Sequence, residues 1–328
     1  NGKAAIALGR QAKTDGEEAS IAIGNETEAT AKDSTAVGSG SKSSGEYAAA
    51  LGFQTKATAN YATAIGSGAR GYAEDSQAIG REAETSAGAT RAIAIGTLSK
   101  SSGNYATSLG SSAEASAERA IAVGYKSKAE AERAISVGNL ANATKNDSIA
   151  VGNNSAASGL NASAVGKNSK ASGQSAAAFG DTAQATNTNA TAVGNQANAS
   201  NTNTTAIGNQ TVASGGNATA VGHLSQATAD GATAIGTNNK AGYEGTAVGL
   251  SNTVTGRTSA AFGRSNTVSG KESLAAGVRS NASGEHNVAI GYQAATDGKA
   301  TVAIGEGSKA DIADGVALGY NSATTAAA

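Results

Sequence analysis

A short apolar word followed by glycine recurs along this chain, as in Ala64-Ile65-Gly66 and Ala78-Ile79-Gly80. Aligned on that glycine, it occurs 23 times between Gly9 and Gly319, passing through Gly66, Gly80, Gly124, Gly194 and Gly208. Of the 22 intervals, 19 are 14 residues long; the others are 15 (Gly9 to Gly24), 16 (Gly80 to Gly96) and 13 (Gly236 to Gly249). The residue before the glycine is Ile, Val, Leu or Phe everywhere except at Ala276. The residue two before it is Ala, replaced only by Ser108 and Ser136, so Ala192, Ala206 and Ala220 belong to one row. After the glycine, the third and fifth positions are small (Ser127, Ala129) and the second and fourth are polar (Lys126, Lys128). Alternation with period two predicts strands. Each repeat therefore holds two short strands joined by Gly/Asn/Ser corners. No apolar stripe of helical period is present.

Repeats of this kind stack into an all-β parallel solenoid of about 23 coils, spaced by about 4.8 Å. Residues 1–328 read as a single array, with the odd intervals as corner insertions or a deletion. At the Ala276 unit the bulk moves two residues upstream, to Leu274, which leaves it on the same strand face. The large residue is expected to point into the coil, because it fills the interior better than Ala does. An uncovered flat apolar face running along such an array far exceeds the few hundred Å² usual on a monomer. Identical neighbours in a closed ring would cover it. The Ala192 row is buried whichever way the strand faces.

Composition sharpens the picture. Pro, Cys, Met and Trp are absent, aromatics make up 3%, and there are 44 glycines, so the core must be built from Ala, Ser and Thr. Disorder is the natural rival for such a chain, and the strict register argues against it. A formal net charge of -1 gives no electrostatic footprint for nucleic acid or an anionic membrane. Without Cys there is neither a disulfide framework nor a thiolate metal site. There is no apolar run of about twenty residues, so no membrane insertion by this piece is expected. The chain opens at Asn1 in mid-pattern and reads as a fragment of a longer protein.

Candidate chemistry is sparse. His223 and His286 fall in corner registers, as do the carboxylate pairs Glu17-Glu18 and Glu74-Asp75, and all are expected to be solvated. Gly66-Ser-Gly-Ala-Arg-Gly71 has the look of a phosphate-cradling loop, but no Lys-Ser/Thr follows and no helix begins there. Asn189, Asn217 and Asn281 head Asn-x-Ser/Thr triplets as a by-product of corner composition. No catalytic constellation, cofactor site or metal site is evident, so the chain is not expected to be an enzyme.

Two surface features remain. Five residues before the repeat glycine stand Tyr47, Tyr61, Arg91, Tyr105, Arg119 and Arg133, a stripe of the residue types enriched at binding hot spots. The plainer expectation is that they cover coil edges or pair with Glu118 and Glu132. In the same register, Asn189, Asn203 and Asn217 are expected to form a side-chain ladder.

The words TAIGSGA, IAVGYKSKAEAERAISVG and TAVGNQANASNTNTTAIG resemble the head repeats of YadA-like trimeric autotransporter adhesins, and the resemblance runs from Ala5 to about Ser322. It implies a left-handed parallel β-roll, a homotrimer, and display on the Gram-negative outer membrane as an extracellular passenger domain. It also implies attachment to host cells, to other bacteria or to an extracellular matrix protein such as collagen, by multivalent contacts. The signal, neck, stalk and anchor of a full-length family member are not found. Two alternatives stand beside it. One is an ice-binding solenoid, for which Thr191, Thr205, Thr219, Thr233 and Thr246 form a regular column; the other is a spacer that extends another adhesive domain.

Overall fold

The computed structural model describes residues 4–15 and 18–324, and within these it comprises strands, turns and bends. It divides into two units, residues 1–168 and residues 169–328. Each unit is a parallel β-solenoid.

In the first unit, the three residues before each repeat glycine form the first strand of a coil. They pair in parallel with their equivalents one coil on: Thr63 with Gln77, Ala64 with Ala78, Ile65 with Ile79. The second strand is two residues long, and Arg70-Gly71 pairs with Glu84-Thr85. The second unit repeats the scheme, with Thr191, Ala192 and Val193 against Thr205, Ala206 and Ile207. From Thr219–His223 to Val288–Tyr292 its first strands lengthen to five residues and run through the glycine.

Length changes fall in one corner, between the second strand and the next coil. That corner spans residues 72–76 in an ordinary coil, 86–92 in the 16-residue coil and 242–245 in the 13-residue coil. In the 15-residue coil the same corner contains Gly16 and Glu17, which lie outside the described residues.

The orientation of the first strand corrects the sequence expectation. Ala64, Ala192, Ala206 and Ala220 are fully buried. The large residue beside each of them faces outward: Ile65 is 36% exposed, Leu109 44% and Ile207 39%. The two strands of a coil lie back to back over an interior only one small side chain deep. Four rows fill it, represented by Ala62, Ala64, Ala69 and Gly71 in one coil and Ala190, Ala192, Ala197 and Ala199 in another. An Ile directed inward would have no volume to occupy. The exposed apolar face therefore carries large residues, not the small ones expected. Leu274 and Ala276 both lie on it, consistent with bulk moving along one face.

The glycine row has two causes. Gly66 has φ +120°, and a Cβ there would lie 2.6 Å from the carbonyl oxygen of Gly80. Gly80, Gly124, Gly194 and Gly208 repeat this geometry against the next coil's glycine, with φ from +126° to +133°. Glycine alone relieves both constraints.

Candidate surface for binding

The corners decide what the surface can present. Two positions per coil take left-handed backbone, and in most coils both bear a side chain: two after the repeat glycine (Gln54, φ 52°) and five before it (Tyr61, φ 58°). The second of these is the Tyr/Arg register. Tyr47, Arg91, Tyr105, Arg119 and Arg133 all have φ of 56–58°. A side chain costs energy in this conformation, and the close stacking of coils holds it there.

The six residues do not form one continuous stripe. Tyr47 and Tyr61 stack with ring centroids 5.1 Å apart and planes 7° from parallel. Lys32 reaches over Tyr47, 5.8 Å from its centroid, and also pairs with Glu18 at 3.3 Å. Hydrogen bonding to Tyr47 and then to Glu18 raises the pKa of Lys32. Asp75 occupies the same register between Tyr61 and Arg91, and pairs with Arg91 at 3.5 Å. Arg91 donates to the Tyr105 hydroxyl at 3.3 Å, and its guanidinium lies 5.7 Å from that ring's centroid. Arg119 pairs with Glu118 at 3.5 Å. Arg133 contacts Glu132 and grips Asp147 with two hydrogen bonds of 2.6 and 2.8 Å.

Asp75 and Asp147 are thus members of the column that the sequence reading passed over. Their five-residue offset from Gly80 and Gly152 was the signal. In the second unit the analogous cluster is Tyr243, Glu244 and Arg257. Arg257 pairs with Glu244 at 3.2 Å and lies 4.8 Å from the centroid of Tyr243. These groups are exposed and paired with one another. They offer shallow contact rather than a pocket.

The Asn column forms the expected ladder: Asn189 donates to Asn203 at 3.0 Å and Asn203 to Asn217 at 3.1 Å. A second ladder, which the sequence reading missed, runs through the interior of the second unit. Asn239, Asn252 and Asn266 are fully buried three residues after the glycine. The Asn252 amide donates to the carbonyls of Val248 (2.9 Å) and Gly263 (2.8 Å), and its oxygen accepts from the Asn266 backbone at 3.0 Å. Its register was legible; the inward direction was not.

The remaining candidates resolve simply. In the glycine-rich hexapeptide, the Gly66 and Gly68 amides donate to Leu51 and Phe53 of the preceding coil, each at 2.8 Å. Neither is turned toward a phosphate. His223 is exposed at the end of a first strand, and His286 lies 3.1 Å from Glu272 in a corner. Glu74 is exposed, as is Asn281 in a second strand. Glu17 lies outside the described residues. Among the described residues no three His, Asp or Glu side chains are gathered as a metal site would need.

The profile of the YadA head domain repeat matches residues 1–20, 18–41, 43–69, 87–113, 101–127, 115–141, 129–155, 143–169, 157–183, 171–197, 185–211, 213–239, 269–294 and 297–322. The chain belongs to the YadA head repeat family. Among solved structures, the crystal structure of the collagen-binding domain of Yersinia adhesin YadA is similar at 21% identity. The match covers 58% of this chain and 80% of that one, with a TM-score of 0.22. No curated protein sequence matches. For a YadA head repeat, the surface has three parts: an outward apolar face on the first strands, corners with left-handed side chains, and a polar face on the second strands.

Proposed function

We propose that this YadA head array is the homotrimeric head of a bacterial surface adhesin, a binding protein without catalytic chemistry. Its outward apolar face is the observation that carries the proposal. Leu109 and Ile121 in the first unit, and Phe179, Ile207 and Phe262 in the second, are each more than a third exposed on the first strands. A face of this kind repeated coil after coil calls for cover. Three copies around an axis supply it without forming an open filament.

In that trimer the second strands and corners stay in solvent and carry the Tyr/Arg and Asn columns. Contacts repeated coil after coil suit a fibrous partner, since weak sites in series bind by avidity. The partner proposed is an extracellular matrix protein such as collagen, with host cells or neighbouring bacteria bound in the same way. The location proposed is the Gram-negative cell surface, as an extracellular passenger domain.

Light scattering on the native chain tests the assembly: three chain masses are expected, and one would overturn it. Solid-phase binding to collagen, with and without Tyr47→Ala and Tyr61→Ala, tests the ligand. The threonine column Thr191, Thr205, Thr219, Thr233 and Thr246 lies half-buried on the same outward face. An ice-binding role would need that face free in water. A monomer with thermal hysteresis would therefore favour it over the adhesin.

A further inference from the structure

The outer face of the second strands in the first unit carries a charge ladder four residues after each repeat glycine. Along nine coils it reads Lys13, Glu28, Lys42, Lys56, Arg70, Glu84, Lys100, Glu114 and Lys128. Signs alternate at six of the eight steps; the two exceptions both involve Lys56. Each residue is in direct parallel register with the next, including Lys42 with Lys56 and Lys56 with Arg70. Four of the alternating steps form ion pairs: Lys42 to Glu28 at 3.1 Å, Arg70 to Glu84 at 3.4 Å, Lys100 to Glu84 at 3.7 Å, Lys128 to Glu114 at 3.8 Å. A glutamate at position 56 would complete the alternation. Lys56 instead sets three cations on adjacent coils, spaced by about 4.8 Å. Like charges directly opposite destabilise a sheet. Lys56 is exposed and has no carboxylate partner among the described residues.

Both flanks of this cationic ridge are open and polar. On one side a groove of about 570 Å³ runs past Gln54, with Gly40 and Gly68 on either side of it where other coils place a side chain; its lining also includes Glu26 and Glu28, which are paired with Arg10 and Lys42. On the other side, a groove of about 280 Å³ is edged by Thr30, Ser44, Thr58 and Tyr72, one from each of four successive coils. Cations with hydroxyls on one side and an amide on the other match the sulfates and hydroxyls of a sugar chain. A single-stranded nucleic acid would need aromatic platforms for its bases, and Tyr72 is the one aromatic residue lining these grooves.

We infer that the Lys42–Lys56–Arg70 ridge is a binding site for a sulfated polysaccharide, separate from the proposed trimer face and from the Tyr/Arg column. Surface plasmon resonance of the full chain over immobilised heparin, at low ionic strength, is the test. Lys56→Glu completes the charge ladder, so it should melt higher than the parent while binding at least about tenfold more weakly. Lys56→Arg should bind like the parent, and so should Lys170→Gln in the second unit. No binding by the parent chain overturns the proposal, as does undiminished binding by Lys56→Glu. Duplex DNA that competes as well as free heparin would reassign the ridge to nucleic acid. Native mass and collagen binding of Lys56→Glu, measured alongside, are expected to be unchanged, which separates this site from the adhesin reading.

Discussion

The carbonyl oxygen of Gly208 lies 2.4 Å from where a Cβ on Gly194 would sit. Adjacent coils touch backbone to backbone at this corner, so the repeat glycine sets how closely they stack. Gly194→Ala must shift the next coil and also hold φ near +127° with a side chain. A loss of about 3 kcal/mol or more is expected from strain and overpacking together. Gly88→Ala is the control, since its φ is +84° but nothing lies within 4 Å of the added Cβ. It should cost about 1 kcal/mol. Urea unfolding midpoints of the two variants measure the difference.

Ala206 and Ile207 are adjacent but face opposite ways, so acidic substitutions at them should fail differently. Ala206→Glu, like the same change at Ala192 or Ala220, puts a carboxylate in a dry interior lined by methyl groups. The coil itself should open, with loss of β-sheet circular dichroism. Ile207→Asp puts its charge on the outer face. Its spectrum should survive while the scattered mass falls toward one chain. Equal loss of structure in both would refute the assigned orientation.

The buried and exposed asparagine ladders should differ in worth. Asn252→Ala leaves the Val248 and Gly263 carbonyls and the Asn266 amide without the partners Asn252 supplies. Buried groups left unpaired in this way cost about 3 kcal/mol in sum. Asn203→Ala leaves its neighbours to water and should cost under about 1 kcal/mol. Thermal melts of both variants check this.

Acid should release one corner of the first unit. The hydrogen bonds from Arg133 hold Asp147 below the usual carboxylate range. A carboxyl depressed on folding contributes stability that is present above its unfolded pKa and lost as pH falls through the folded one. The parent should therefore lose melting temperature below about pH 4, and Asp147→Asn should lose less. Parallel slopes for the two would show that the pair contributes nothing.

The period, the two strands and the corner location of every length change were legible in the sequence, because each rests on local pattern. Gly9 to Gly319 count the coils directly. The Asn189–Asn203–Asn217 ladder was legible for the same reason: residues one repeat apart must be neighbours once coils stack. The Tyr/Arg register was legible as a column but not as a set of pairs. Asp75 and Asp147 join it only when side chains from successive corners meet.

What the sequence determined by itself was periodicity: fourteen residues, a glycine, a small residue two before it and a large one beside it. Alternation says that Ala64 and Ile65 face opposite ways, but not which of them faces in. The tertiary structure decided that. The distance between back-to-back strands is a property of the closed coil, and the interior it leaves is filled mainly by Ala, Ser and Thr, with Val254, Val268 and a few Asn as its largest side chains and no Ile among the described residues. The same closure turned the large row outward, put Asn252 inside and Asn203 outside, and placed left-handed backbone under Tyr61 and Arg91. Such choices depend on volume and curvature shared by residues distant along the repeat, which no local pattern encodes.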